Sequence, residues 1–145
     1  MCSSDLGLTN VGAKYNGNAT YHPCCHGLRN LNLVQQPSIL LDNVEDLEQV
    51  VLPCAEECCG FGGLFSVRMS EISGAMLDKK LSHIEESGAN VLIAGDVGCI
   101  IHMQGGLRRR GSNIQVRHIA EILNGSDRSE EHTSELQSLV NLVCR

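Results

Sequence analysis

Three short apolar segments of this chain each end at a proline or glycine and are followed closely by cysteine. The third segment, Asn-Val-Leu-Ile-Ala, has the unbroken apolar run that is typical of a strand buried on both faces of a parallel sheet. The segments and their cysteines are residues 18–22 with Cys24 and Cys25, residues 47–52 with Cys58 and Cys59, and residues 90–94 with Cys99. This pattern predicts strands whose ends carry sulfur.

Helical patterns separate these strands. The longest predicted helix covers residues 70–87, where apolar side chains recur at helical spacing and Gly88 provides a stop. The other predicted elements are a helix beginning at Pro37, a helix from Cys99 to about Leu107, a fourth strand at residues 113–117 and a last helix at residues 119–123. The alternation predicts an α/β fold: an open, mostly parallel sheet of about four strands with flanking helices.

Both ends of the chain match a translated sequencing-library adapter. Residues 128–138 back-translate to the start of that adapter and residues 141–145 to its far end, while residues 1–6 fit the reverse complement of its start. We therefore expect residues 1–6 and 128–145 to be artefacts. Residues 7–127 would be one domain, cut from a longer protein.

Removing those segments changes the composition. Two of the eight cysteines are lost, and with them two basic and four acidic residues, so the net charge is −4 rather than −6. Mild acidity argues against nucleic acid as a partner. No apolar run is long enough to span a membrane and no signal peptide is visible. The cytoplasmic location that we expect is implied by the family resemblance described below.

The cysteines follow three strands of one parallel sheet, so their sulfur atoms are expected to converge at its carboxyl edge. Disulfides are disfavoured because adjacent cysteines bridge only with strain. Zinc sites generally use short Cys-x-x-Cys arms, which are absent here, although zinc stays an alternative. An iron–sulfur cluster accepts thiolates from several loops and suits this spacing best.

Other residues around the cysteines have weaker claims. Gly60, Gly62 and Gly63 could let their loop close over a cofactor and direct N–H groups at its sulfur atoms. Cys54 is expected not to be a ligand, because Cys58 and Cys59 already supply that corner. The nearby histidines are each expected to be hydrogen-bonded at the end of an element rather than to act as ligands; they are His22, His26 and His102.

Three sequence blocks together resemble the cysteine-rich CCG domain family, most closely its lactate-utilization branch. The blocks are residues 21–26 (YHPCCH), residues 58–63 (CCGFGG) and residues 95–102 (GDVGCIIH). The family pattern is a cysteine, a gap in the low-to-mid thirties, Cys-Cys-Gly, a similar gap and Cys-x-x-Cys. The resemblance covers residues 15–124, which look like the second of two tandem domains.

This spacing implies a set of ligands. Thirty-two residues separate Cys25 from Cys58, which favours Cys25 over Cys24, and Asp96 stands where the first cysteine of the last pair would be. The implied ligands of a [4Fe-4S] cluster are Cys25, Cys58, Cys59 and Cys99. Cys24 and Asp96 are the less favoured candidates.

The resemblance implies an electron-transfer subunit of an L-lactate oxidation complex, working with other subunits that include a second iron–sulfur protein. No flavin or nicotinamide fingerprint is present, so no catalytic residue is assigned. The alternatives are a zinc-stabilised docking module and an iron–sulfur subunit like those of glycolate oxidase or heterodisulfide reductase. Thiol–disulfide catalysis at Cys58 and Cys59 is a third possibility.

Overall fold

The computed structural model describes residues 7–125. The two predicted artefact segments, residues 1–6 and 128–145, lie outside this range, and that prediction stays untested.

A four-stranded sheet forms the centre of the described chain. All of its strands are parallel and their order is β2-β1-β3-β4, which confirms the predicted α/β class. The strands are β1 (Lys14–His22), β2 (Glu45–Gln49), β3 (Val91–Ala94) and β4 (Gln115–His118). Because the strands are parallel, the segments that follow them leave from the same edge of the sheet.

Helices cover both faces of this sheet. They are α1 (Gln36–Asp42), α2 (Leu64–Arg68), α3 (Ser70–Glu86), α4 (Val97–Arg109) and α5 (Ile119–Leu123). A single π-helical turn, His26–Asn30, follows β1. There is one hydrophobic core on each face of the sheet, and the side chains of β3 alternate between them. Leu92 and Ala94 pack among residues of α3 and α4, and Val91 and Ile93 pack among residues of α1 and α5.

Strand β2 starts and ends earlier than the predicted residues 47–52. It is an edge strand with the polar sequence Glu-Asp-Leu-Glu-Gln, and four of its five residues are exposed. The apolar run that suggested the strand lies beyond its end, where Val51 is 84% exposed and Leu52 is buried in the core. One bond, from the Val50 N–H to the Ala19 carbonyl (2.8 Å), continues the pairing.

Two helix boundaries also differ from the prediction. Helix α4 begins at Val97, two residues before Cys99, because the Asp96 side chain caps it. The short helix α2 was not predicted. The residue before it, Gly63, has a φ of 57°, in the left-handed region that favours glycine.

Two polar side chains join distant parts of the fold. Asn18 on β1 accepts a hydrogen bond from the Asn90 N–H (2.9 Å) and donates one to the Gly88 carbonyl (3.3 Å), which fixes the entry to β3. Lys80 on α3 is fully buried, and its Nζ donates to the carbonyls of Cys54 (3.0 Å) and Ala55 (2.8 Å). The two hydrogen bonds of Lys80 tie α3 to the loop that carries the Cys-Cys-Gly sequence.

Candidate metal centre

The three cysteine-bearing loops meet at the carboxyl edge of the sheet. They are the segment after β1, the loop between β2 and α2, and the start of α4 after β3. All six cysteines in residues 7–125 are free thiols; they are Cys24, Cys25, Cys54, Cys58, Cys59 and Cys99.

The innermost group consists of Cys24, Cys99 and His22. One nitrogen of the imidazole and the two sulfur atoms all lie within 4.8 Å of one another, and all three residues are buried. Cys59, 1% exposed, is counted with this group because it lies close enough to Cys99 for each thiol to shift the pKa of the other. We call these four residues the inner group.

Negative charge within the inner group is stabilised on two of the sulfur atoms. The Cys99 thiol, the His22 side chain and the Phe61 N–H lower the pKa of Cys59 to about 4, despite its burial. The Cys99 thiol also lowers the pKa of Cys24, with help from the backbone of Gly95. Conversely, Cys24 and Cys59 raise the pKa of Cys99.

Cys25 and Cys58 form a second pair nearer to the surface. Burial and a hydrogen bond with Cys58 raise the pKa of Cys25 to about 11, and charge on Cys59 adds to the effect. The backbone N–H of Gly60 donates to Cys58 Sγ at 3.4 Å. Five sulfur atoms from three loops are thus gathered at one corner, two in this outer pair and three in the inner group.

The three glycines of the Cys-Cys-Gly loop do different things. Gly60 has a φ of 89°, and a Cβ there would lie 2.7 Å from the Ser73 carbonyl oxygen, so only glycine fits. Gly62 and Gly63 accept hydrogen bonds that begin α2, from the N–H groups of Phe65 and Ser66. Contact of these glycines with a cofactor stays a prediction, although Gly60 does direct its N–H at sulfur.

Asp96 acts as the N-cap of α4. Its Oδ1 accepts a hydrogen bond from the Cys99 N–H at 2.9 Å, and its backbone is extended, as a cap requires. Asp96, which stands where the family pattern has the first cysteine of its last pair, therefore positions the backbone of Cys99. This contact occupies one of its two carboxylate oxygens.

The predicted hydrogen bonding of the three histidines holds for one of them. His26 pairs with Asn30 at 3.0 Å, and the His102 ring packs against Phe61 with centroids 5.8 Å apart while its Nε2 has no partner. The expectation is wrong for His22, which is fully buried and has no hydrogen bond to either ring nitrogen within residues 7–125. Leaving a buried polar group unpaired costs about 1–3 kcal/mol.

The burial of His22 beside the cysteines has a signal in the sequence. Side chains two apart on a strand share a face, so Thr20 and His22 at the end of β1 point into the layer beneath α3 and α4. That layer also contains Cys24, Cys59 and Cys99.

Cys54 lies in a separate group. It is exposed, and its sulfur is within 4.8 Å of donor atoms of Glu57 and His83. Glu57 is already engaged, because Lys79 Nζ lies 2.6 Å from one of its carboxylate oxygens and His83 Nδ1 lies 3.6 Å from the other.

The donor chemistry of the inner group and outer pair fits a thiophilic metal. Thiolate is the form that binds such metals, and two of the inner sulfur atoms have lowered pKa values. The unpaired imidazole supplies a nitrogen donor in the same pocket. The fold and this site define a class of protein: a cysteine-rich α/β domain able to bind metal at the carboxyl edge of its sheet.

Comparison with known proteins agrees with this class. The family model described as "Cysteine-rich domain" (CCG) matches residues 19–104, which include both cysteine pairs and Cys99. The chain belongs to this family.

Several curated relatives carry the name "Lactate utilization protein A". The chain is 54% identical to the protein of Macrococcus caseolyticus over 82% of its own length and 49% of the relative's. The identity is 52% with the Bacillus pumilus protein and 50% with that of Lysinibacillus sphaericus, again over 82% of this chain and over 50% and 52% of those proteins. The chain thus spans about half the length of these relatives. In residues 7–125, no helix combines the length and apolarity needed to cross a membrane.

Proposed function

We propose that this chain is the iron–sulfur, electron-transfer domain of a protein that takes part in L-lactate oxidation. The observation that carries the proposal is the convergence of five sulfur atoms from three separate loops. The names of its relatives support the lactate assignment. When bound, a [4Fe-4S] cluster would supply a one-electron carrier at this corner.

The residues of the chain divide the work of holding such a cluster. Cys25, Cys58, Cys59 and Cys99 have the family spacing and are proposed as its thiolate ligands, with Cys24 in reserve beside Cys99. The N–H groups of Gly60 and Phe61 donate to sulfur, which stabilises negative charge and raises a reduction potential. The surrounding apolar core, including Leu77 and Met103, excludes water from the inner side.

The proposed setting is cytoplasmic, and the proposed partners are the other subunits of a lactate oxidation complex, including a second iron–sulfur protein. This chain would receive and pass on electrons, and the oxidation of the 2-hydroxy acid would take place on another subunit. A zinc-stabilised docking module is the second candidate, because the inner group offers three sulfur atoms and one nitrogen, the four donors that a single tetrahedral ion requires.

Metal and sulfide analysis distinguishes these functions. The chain is purified without oxygen, reconstituted with iron and sulfide, and assayed for iron, acid-labile sulfide and zinc. We expect about four iron and four sulfide per chain, with a signal that appears on reduction. Stoichiometric zinc with no sulfide would refute the iron–sulfur proposal. Serine variants of Cys24 and Cys25 then identify which of the two is the ligand, and Cys54→Ser is the control, expected to keep full iron content.

A further inference from the structure

We infer that His22 is a nitrogen ligand of the metal centre. Because each iron of a [4Fe-4S] cluster takes one protein ligand, His22 would bind such a cluster in place of one of the four thiolates proposed above. The inference rests on the proposed function insofar as that function requires a metal at this corner. Within residues 7–125 the imidazole is completely buried and neither ring nitrogen has a hydrogen bond of ordinary geometry. Its polar neighbours are the cysteines themselves, including Cys59, whose pKa it lowers.

The position of His22 is fixed by the most enclosed part of the fold. It is the last residue of β1, an inner strand paired on both sides, and it lies opposite Ala94 in the register with β3. A ligand held on a central strand keeps its geometry better than one carried by a loop. The Cys24 thiol also bonds back to the His22 carbonyl at 3.7 Å, so the two donor groups are held together.

The spacing of the donor atoms matches ligands that share a metal. Metal–nitrogen bonds of about 2.0–2.1 Å and metal–sulfur bonds of about 2.3 Å place neighbouring tetrahedral ligands roughly 3.5–3.8 Å apart. The donor atoms of His22, Cys24 and Cys99 are all mutually within 4.8 Å, which is close to the spacing of ligands on one zinc ion and also allows His22 and a cysteine to bind neighbouring irons of a cluster. Mixed nitrogen and sulfur coordination also occurs at other iron–sulfur centres.

Within residues 7–125 the polar neighbours of the imidazole are the sulfur atoms of the inner group, and Cys59 is close enough to interact with it. The neighbouring polar side chain on the same strand face, Thr20, is itself buried with an unpaired hydroxyl. His26, four residues further along, shows the ordinary case: it is exposed and hydrogen-bonded to Asn30. His26 is therefore a matched control for His22.

The test uses the 145-residue chain with histidine labelled by ¹⁵N, reconstituted and reduced. Pulsed electron paramagnetic resonance measures the coupling of the unpaired electron to nitrogen, and in the unsubstituted chain we expect the strong coupling of a directly bound imidazole. The coupling should vanish in His22→Cys, which offers a thiolate in place of the nitrogen and should keep its iron. It should be unchanged in His26→Gln.

Iron retention gives a second readout. His22→Gln should lose iron to a competing chelator at least tenfold faster than the unsubstituted chain, whereas His26→Gln should lose iron at the same rate as that chain. Tenfold is the lower end of the loss of metal affinity seen when a residue that only supports a ligand is removed. Full iron and sulfide content without strong ¹⁵N coupling in the unsubstituted chain would overturn the inference while the proposed function survives.

The reverse outcome separates the two claims. If the chain binds zinc and no sulfide, the proposed function fails and His22 is tested by X-ray absorption at the zinc edge. A zinc–nitrogen distance of about 2.0–2.1 Å that disappears in His22→Cys would support the ligand assignment, and coordination by sulfur alone would overturn it.

Discussion

Replacing Asp96 separates its role as a helix cap from a role as a metal ligand. In the structure its Oδ1 accepts the Cys99 N–H at 2.9 Å and no other partner of the carboxylate is described. Asp96→Ala removes both the acceptor and the negative charge at the start of α4. Asp96→Asn keeps the acceptor and removes only the charge.

The two contributions give different magnitudes for the two variants. Losing an N-cap acceptor costs about 1 kcal/mol, and losing a negative charge at a helix N-terminus costs about 0.5 kcal/mol. The free energy of unfolding should therefore fall by about 1.5 kcal/mol in Asp96→Ala and about 0.5 kcal/mol in Asp96→Asn. For a domain of this size the larger change lowers Tm by roughly 6 °C.

The assay is urea unfolding of the metal-free chain, followed by iron analysis of each variant after reconstitution. We expect Asp96→Asn to hold as much iron as the unsubstituted chain, since the cap that positions Cys99 is retained. Loss of half or more of the iron from Asp96→Asn, with its stability intact, would show that the carboxylate binds metal and would refute the capping argument. Equal stability of Asp96→Ala and the unsubstituted chain would refute it as well.

Three other predictions concern stability. Gly105→Ala should stabilise α4 by about 1 kcal/mol, because the added Cβ would meet nothing closer than 3.7 Å. Gly106→Ala should destabilise the fold by about 1–2 kcal/mol in the same urea assay, because its Cβ would lie 2.6 Å from Leu81 Cδ1. Equal effects of the two substitutions would contradict this packing. Lys80→Met should cost about 2 kcal/mol by leaving two loop carbonyls unpaired, and an unchanged urea midpoint would contradict it. Burial lowers the pKa of His102 below 6.5, so the unfolded chain binds more protons at acid pH and stability falls as the pH drops below 6.5. His102→Gln should flatten this pH dependence of stability in unfolding curves recorded between about pH 5 and 7. An unchanged pH dependence in the variant would exclude His102 as its source.

Much of the fold could be predicted because the inner strands are apolar. Val91–Ala94 is buried at every position, and the sequence shows this as an unbroken run. Strand β2 gives no such signal, since an edge strand exposed to water can be polar, and its pairing with β1 depends on a partner that is distant in sequence. The apolar residues Val50 and Val51, which follow β2, therefore shifted the predicted strand toward the C-terminus.

The candidate site divides in the same way. Convergence of the cysteines follows from parallel topology and could be predicted without coordinates. Which sulfur of an adjacent pair turns inward could not be predicted, because the burial of Cys24 and the partial exposure of Cys25 are properties of the packed fold. The missing hydrogen-bond partners of His22 are likewise a property of the packed layer, and no local pattern reveals them.

The hydrogen bonds of Asn18 to Gly88 and Asn90 have a consequence for the order of assembly. They close a segment of about seventy residues before β3 can pair with β1, and closing long segments is entropically costly and slows folding. The sulfur atoms after β1 and after β3 stay far apart until that closure occurs. If the chain takes up metal as proposed, the sulfur atoms after β1 and after β3 would come within reach of one centre only when these two strands lie together, so metal uptake would be coupled to their pairing.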